Sequence, residues 1–296
     1  MKKSIKRRET GPSKAQWGFM AAFLLIPLVL VTCITVVPMI KAIYTSFFDY
    51  SGYGAMTFLG FANYAELFTD SKFFASIWND IKILLMKEVI VIVLAVFFSI
   101  SITRLSFGKH ETKFFKFIYY IPNILSVVVT AKCWKYFFDF DLFSVVSGLK
   151  TPADGWIGAY PAEIVTFVGS WCGIGMFMII LIAAINNIPK EIYEAADIDG
   201  AGQFRQLMQL TIPAVLPQIR YMAISIVTSI VGSNMNFVKL FVGDYSQFTT
   251  MGLYQYNAAF VSYRYGYAYA ASVVVMAIVF VISWLINRFV KEKGEN

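Results

Sequence analysis

The sequence predicts an all-α integral membrane protein with six transmembrane helices, and three observations carry that prediction. Of 296 residues, 58% are hydrophobic and only 15% charged, with a mean hydropathy of +0.64; a single soluble core cannot bury that much apolar surface. Six apolar runs, at about 17–40, 83–103, 114–136, 164–186, 219–241 and 268–288, reach the roughly 20 residues that a hydrocarbon layer demands. One long polar insert, 188–217, separates the fourth run from the fifth.

In chain order, residues 1–16 read as a basic tail, 17–290 as the membrane domain and 291–296 as a short C-terminal tail. The first span carries Pro27 and Pro38 and leads into an external segment that reaches Phe74 and Asn79. The second span ends in a basic turn from Arg104 to Lys116, and the third contains Pro122, Ser126 and Trp134. A second external loop, 137–162, holds Asp139, Asp141 and Trp156. The fifth span leads to a Tyr-rich external stretch, 244–267, and the sixth closes the domain. Spans punctuated by Pro and polar residues are those expected to pack together or line a path.

Most of the 25 Lys and Arg residues fall on the side that holds both termini and the 188–217 insert, so that side is predicted to be cytoplasmic. The net charge of +7 comes largely from the tail and the 104–116 turn, which suits topogenesis or anionic lipid headgroups. Without interleaved aromatics the tail does not suggest nucleic acid. The first apolar run is too long, and lacks a small-residue cleavage site, for a removed signal peptide. Cys33, Cys133 and Cys172 each lie in a span with no Cys-x-x-Cys pairing and read as buried apolar residues. The lone His110 sits in a basic loop, so neither a metal site nor a catalytic site is expected. No phosphate-cradling Gly-x-x-x-x-Gly-Lys-Ser/Thr occurs, so any ATP must be bound by another chain. No internal repeat of the kind that marks many secondary transporters is visible.

The insert is patterned to be gripped. Asn187 or Ile188 stands where a helix cap belongs, Pro189 suits a first helical position, and Gly200 and Gly202 stop the helix. Ile192, Ala195, Ala196 and Asp199 share a face, with Glu191 and Glu194 beside it. The two alanines leave that face flat. A second short helix follows, with Phe204, Leu207 and Met208 on one side, and Pro213 is expected to end it. The bland alternative is an amphipathic connector on the membrane surface.

Glu194-Ala195-Ala196, then Asp199-Gly200-Ala201, then Ile212-Pro213 and Leu216-Pro217 resemble the EAA loop of permease subunits in ATP-binding-cassette importers. Outside the loop, Ser46-Phe47-Phe48-Asp49-Tyr50, Gly60-Phe61-Ala62-Asn63-Tyr64, Tyr119-Tyr120-Ile121-Pro122 and Gly266-Tyr267-Ala268 are similar to its carbohydrate-importing, maltose- and glycerol-phosphate-like branch. The resemblance covers about 23–289. It implies a type I importer permease in a bacterial plasma membrane. It also implies a second, related permease subunit, two ATPase subunits that bind ATP and Mg, and an extracellular solute-binding protein. On this reading the chain itself is neither an enzyme nor a cofactor binder. Glu191, Glu194, Ala195, Ala196, Asp199, Gly200, Pro213 and Pro217 are the residues that would contact the ATPase subunit. An importer for another solute class, or a secondary transporter or channel, are the rival readings.

Polar groups inside spans are candidate path-lining groups. The fifth span is richest, with Ser225, Thr228, Ser229, Ser233, Asn234, Asn236 and Lys239, although interhelical hydrogen bonding would equally explain the hydroxyls. Asn234, Asn236 and, in the third span, Asn123 carry carboxamides that both donate and accept, which suits hydroxyl-rich ligands. Trp134 and Trp171 could stack on sugar C–H faces, and an interfacial aromatic belt is the competing explanation. Lys239 either snorkels to headgroups or, turned inward, favours an anionic substrate such as an acidic sugar. Lys87 and Glu88 are expected near the external end of their span.

Overall fold

The computed structural model describes residues 13–104, 109–242 and 248–289. The first span is α1 (Lys14–Val31), a π-helical turn (Thr32–Val36) and α2 (Val37–Thr45). After a two-residue hairpin, β1 (Phe48–Asp49) with β2 (Thr57–Phe58) in the register Phe48 to Phe58, come the short α3 (Ala62–Leu67) and the long α4 (Ser71–Arg104). Then follow α5 (Lys109–Ile124), α6 (Val127–Asp139), the short α7 (Leu142–Ser147) and α8 (Gly155–Ala159), and α9 (Pro161–Asn186). The insert comprises α10 (Lys190–Ile198), α11 (Gln203–Gln206) and a second π turn (Leu207–Thr211). The chain continues as α12 (Ile212–Phe241), α13 (Met251–Tyr256), a third π turn (Asn257–Val261) and α14 (Tyr265–Phe289).

The core is a stack of apolar layers between α4, α9 and α12. Farthest from the insert, Ile83 meets Val165, Val168, Phe237 and Phe241. Next, Leu84 and Val91 meet Ile174 and Ile226; nearest the insert, Ala95 meets Leu181, Ile185, Val215 and Met222. Burying such side chains contributes about 1.5–3 kcal/mol each in a water-referenced count. Inside lipid the gain comes instead from tight packing and from hydrogen bonds such as that of the buried Ser99, whose hydroxyl donates across to the Met178 carbonyl at 3.1 Å.

Among the described residues five helices are long and apolar enough to cross a membrane, and the expected third span is the exception: it is two helices, 110–124 and 127–139, bent by 95°. Pro122 removes a backbone donor from the last turn of α5, and Ser126, with ψ 139, starts a new helix as its N-cap. The straight 114–136 span is therefore corrected to a broken one.

A second correction concerns α4, whose 34 residues take in the 74–79 stretch expected as an external segment. The start signal lies upstream, where the Asp70 carboxylate accepts the Lys72 amide at 2.8 Å, the geometry of an N-cap. Lys87 and Glu88 consequently fall in the middle of the helix, not near its end.

The two π turns at 32–36 and 207–211 share a cause. Each stands immediately before a helix with proline as its second residue, Pro38 or Pro213. A proline ring would strike the carbonyl four residues back, and the wider turn moves that carbonyl aside. Pro213 thus does not end the insert's second helix as expected; 203–241 runs on as one bulged rod.

The end remote from the insert is tied by polar groups. Asn63 donates to the Ser46 and Phe48 carbonyls at 2.9 and 3.0 Å, and the buried Asp80 carboxylate accepts the Met251 amide at 2.6 Å. Asp80→Ala would strand that amide, lowering stability by about 1–3 kcal/mol; the expected reading is a lower thermal midpoint for the purified protein.

The first span departs from this order. Residues 17–34 are all exposed, and only its α2 end packs on α14. Cys33 and Cys133 are likewise exposed and Cys172 is half-buried, against the expectation of burial. Cys33 and Cys133 lie on the bundle's outer surface, while Cys172 packs against the core layer around Ile83 and Val168.

Candidate coupling loop and substrate path

The insert's first helix, α10, begins one residue later than expected. Pro189, with ψ 135, is itself the cap residue and Lys190 the first helical one, because a fixed proline φ is as compatible with an extended cap as with a helical turn. The helix end is a Schellman motif. Gly200 sits at φ +71, Ala201 donates to the Ala196 carbonyl at 2.9 Å, and Gly200 donates to Asp197 at 3.0 Å. Gly202 then serves as the cap of α11.

Glu191, Glu194, Ala195 and Asp199 are exposed, and Ala196 is partly covered. Ile192 is 43% and Ile198 87% exposed. The helix is nonetheless held firmly from behind. The Tyr193 hydroxyl meets Thr211 Oγ1 at 3.0 Å, and the buried Gln206 amide donates to Asp197 at 2.5 Å and to the Ala201 carbonyl at 2.9 Å. A cavity of about 240 Å³ opens between Ala196, Asp199, Arg205 and Gln209. Pro213 and Pro217 lie in the first turns of α12, directly above this assembly in sequence.

Three of the expected path residues come together. Trp134 and Trp171 stand edge to face at 5.4 Å, and Asn123, at the α5–α6 break, donates to the Cys172 carbonyl at 3.3 Å. The break is what swings Trp134 onto α9. Asn236 is exposed, and the side chain of Asn234 lies outside the described residues.

Lys239 does something the sequence did not reveal: its ammonium sits 3.6 Å from the centre of the Tyr256 ring, a cation–π contact. Tyr256 also lines a cavity of about 330 Å³ with Met235, Gln255, Phe260 and Tyr269. The Thr228 and Ser229 hydroxyls donate back to their own helix, at 3.0 Å each, and so serve the backbone. Lys87 points toward Gly169, while both Glu88 oxygens are shut away without a hydrogen-bond partner among the described residues. No ion pair joins the two among those residues.

At the remote end, Arg264 donates to both Glu66 oxygens, at 2.7 and 2.5 Å, and holds that carboxyl below the usual carboxylate range. Burial, reinforced by Asp70, pushes the Tyr254 phenol up, so it stays protonated and donates to Asp70 at 2.5 Å.

Residues 92–293 match the family model described as binding-protein-dependent transport system inner membrane component. The chain is 30% identical over 275 residues to the multiple sugar-binding transport system permease protein MsmF of Streptococcus mutans, covering 91% of this chain and 93% of that one. It is 28% identical to the diacetylchitobiose uptake system permease protein NgcF of Streptomyces coelicolor, covering 91% and 82%. In fold it is similar to a chain of a bacterial ABC transporter involved in the import of the acidic polysaccharide alginate, with a TM-score of 0.79 at 20% identity, covering 95% and 98%. A chain of the MetNI methionine ABC transporter is similar more distantly, with a TM-score of 0.53 at 17% identity, covering 73% and 93%.

Proposed function

Because the chain belongs to the family of binding-protein-dependent transport system inner membrane components, we propose that it is one permease subunit of an ATP-driven bacterial importer of sugars or oligosaccharides. It sits in the plasma membrane with both termini and the insert on the cytoplasmic side. ATP and Mg are bound by two partner ATPase subunits; this chain supplies half of the path and no catalytic group. An extracellular solute-binding protein delivers the substrate.

The observation that carries this reading is α10, an exposed short helix fastened to the base of a membrane span. Such a helix can fill a groove on a soluble partner and pass its motion to the bundle. Glu191, Glu194, Ala195, Ala196, Asp199 and Gly200 form the contact, with Pro213 and Pro217 shaping the span beneath it. The saccharide class is supported by the names of the relatives MsmF and NgcF and by the Asn123, Trp134 and Trp171 group, which matches the mixed apolar and hydroxyl chemistry of a pyranose. Asn234, Asn236 and Lys239 are assigned to the same path from their span alone. The fold does not select the solute, since a methionine transporter chain shares it.

The bare first span supports a second permease subunit. A helix with no cover from its own chain over residues 17–34 gains its packing from a neighbour or from lipid.

Tagging the chain, extracting it from native membranes in mild detergent and weighing the intact complex tests the assignment. The expected mass contains a second multi-span chain and two copies of a nucleotide-binding chain. Recovery of the tagged chain alone, under conditions that preserve known assemblies, would point instead to a secondary transporter or channel.

A further inference from the structure

We infer that Gln206, with the Tyr193–Thr211 hydroxyl pair, is a positioning latch that makes α10 and the base of the fifth span a single lever. The inference rests on the proposed docking of α10 to an ATPase subunit.

Without these contacts α10 would hang on two short connections, Pro189 before it and the Gly200–Gly202 turn after it. Such hinges let a docked helix follow its partner while the span stays behind. Gln206 closes that slack. Only 3% exposed, it sends both amide hydrogens back across the turn, one to the Asp197 side chain on α10 and one to the Ala201 carbonyl. A two-pronged amide resists rotation about either bond alone.

The second tie lies one turn back along the same face of α10. Tyr193, a turn before Asp197 on α10, reaches Thr211, which is 1% exposed and is the last residue of the π turn. Gln206 immediately precedes that π turn and Thr211 closes it, so the latch brackets the irregular stretch between α11 and α12. A π turn with Pro213 above it is where the rod would otherwise flex. Bracketing it transmits a push on α10 into α12 and not into bending.

The test uses the co-purified complex with native cysteines replaced and nitroxides placed at Lys190 on α10 and Tyr221 on α12, both exposed. Their separation is measured by pulsed electron resonance without nucleotide and after trapping with ATP and vanadate. The wild type is expected to show one narrow distance in both states. In Gln206→Leu nucleotide should still be trapped, while the population at that distance falls about fivefold or more, the span of a modest coupling energy. Tyr193→Phe, which removes one oxygen atom, should give a smaller loss of the same kind. A narrow, unchanged distance in both variants would overturn the latch. If Gln206→Leu fails to assemble, Tyr193→Phe decides alone. A wild-type complex without an ATPase subunit would refute the importer reading, and the lever's role with it; an intact complex with undisturbed variants refutes the latch only.

Discussion

Gly200→Val is expected to leave the chain in the membrane at its normal level while cutting uptake per ATP hydrolysed about tenfold or more. The reason is conformational. Gly200 holds φ +71 at the end of α10, and a side chain there would meet nothing within 4 Å. Crowding therefore contributes nothing, and the whole cost is that of forcing a β-branched residue into the left-handed region, roughly 1–3 kcal/mol. The cheapest escape is to unwind the Schellman turn, releasing the Ala201 to Ala196 bond and turning the exposed face of α10 away from the proposed ATPase contact. A graded series follows: Asn, which tolerates this region, should retain most coupling, Ala less and Val least. Chain abundance in membranes, ATP hydrolysis by the complex and saccharide accumulation are the three readings. Loss of the chain from the membrane would assign Gly200 to folding instead.

The helix α10 and its stop at Gly200 were legible from sequence because proline and glycine act through local backbone chemistry. The spans were legible for a similar reason, since hydrophobic length needs no knowledge of neighbours. The failures have a different character. Pro122 and Ser126 were both visible, yet nothing local says whether a proline kinks a span slightly or, joined by a cap four residues on, turns it by 95°. Pro213 was read as a stop because a π turn depends on what the widened helix can pack against. The start of α4 was missed although Asp70 is an ordinary N-cap, because Lys72, Ser76, Asn79, Asp80 and Lys82 interrupt the unbroken apolar run by which a span is read. Lys239 over Tyr256 and Gln206 on Asp197 join residues in separate elements, and no periodicity encodes such a pairing.

A second glycine tests the bundle itself. At Gly175 a Cβ would lie 2.0 Å from the Tyr119 carbonyl oxygen, 2.6 Å from its carbon and 2.9 Å from Tyr120 Cα. All three are backbone atoms, so no rotamer change relieves the overlap and α5 must move off α9. Overpacking typically costs about 1–3 kcal/mol where side chains can adjust; here Gly175→Ala is expected to exceed that range and to deplete the chain from membranes. Two residues away on the same helix, Gly173 faces open space, and Gly173→Ala should be harmless or add about 0.5–1 kcal/mol through helix propensity. The pair separates a contact from a composition effect. Displacing α5 also drags the break that places Asn123 against Cys172 and Trp134 against Trp171. Any Gly175→Ala protein that survives should therefore show altered tryptophan fluorescence and impaired saccharide uptake, while the proposed contact of α10 with an ATPase subunit is retained. Full abundance with unchanged fluorescence would mean that α5 and α9 stand farther apart in the assembled transporter than in the isolated chain.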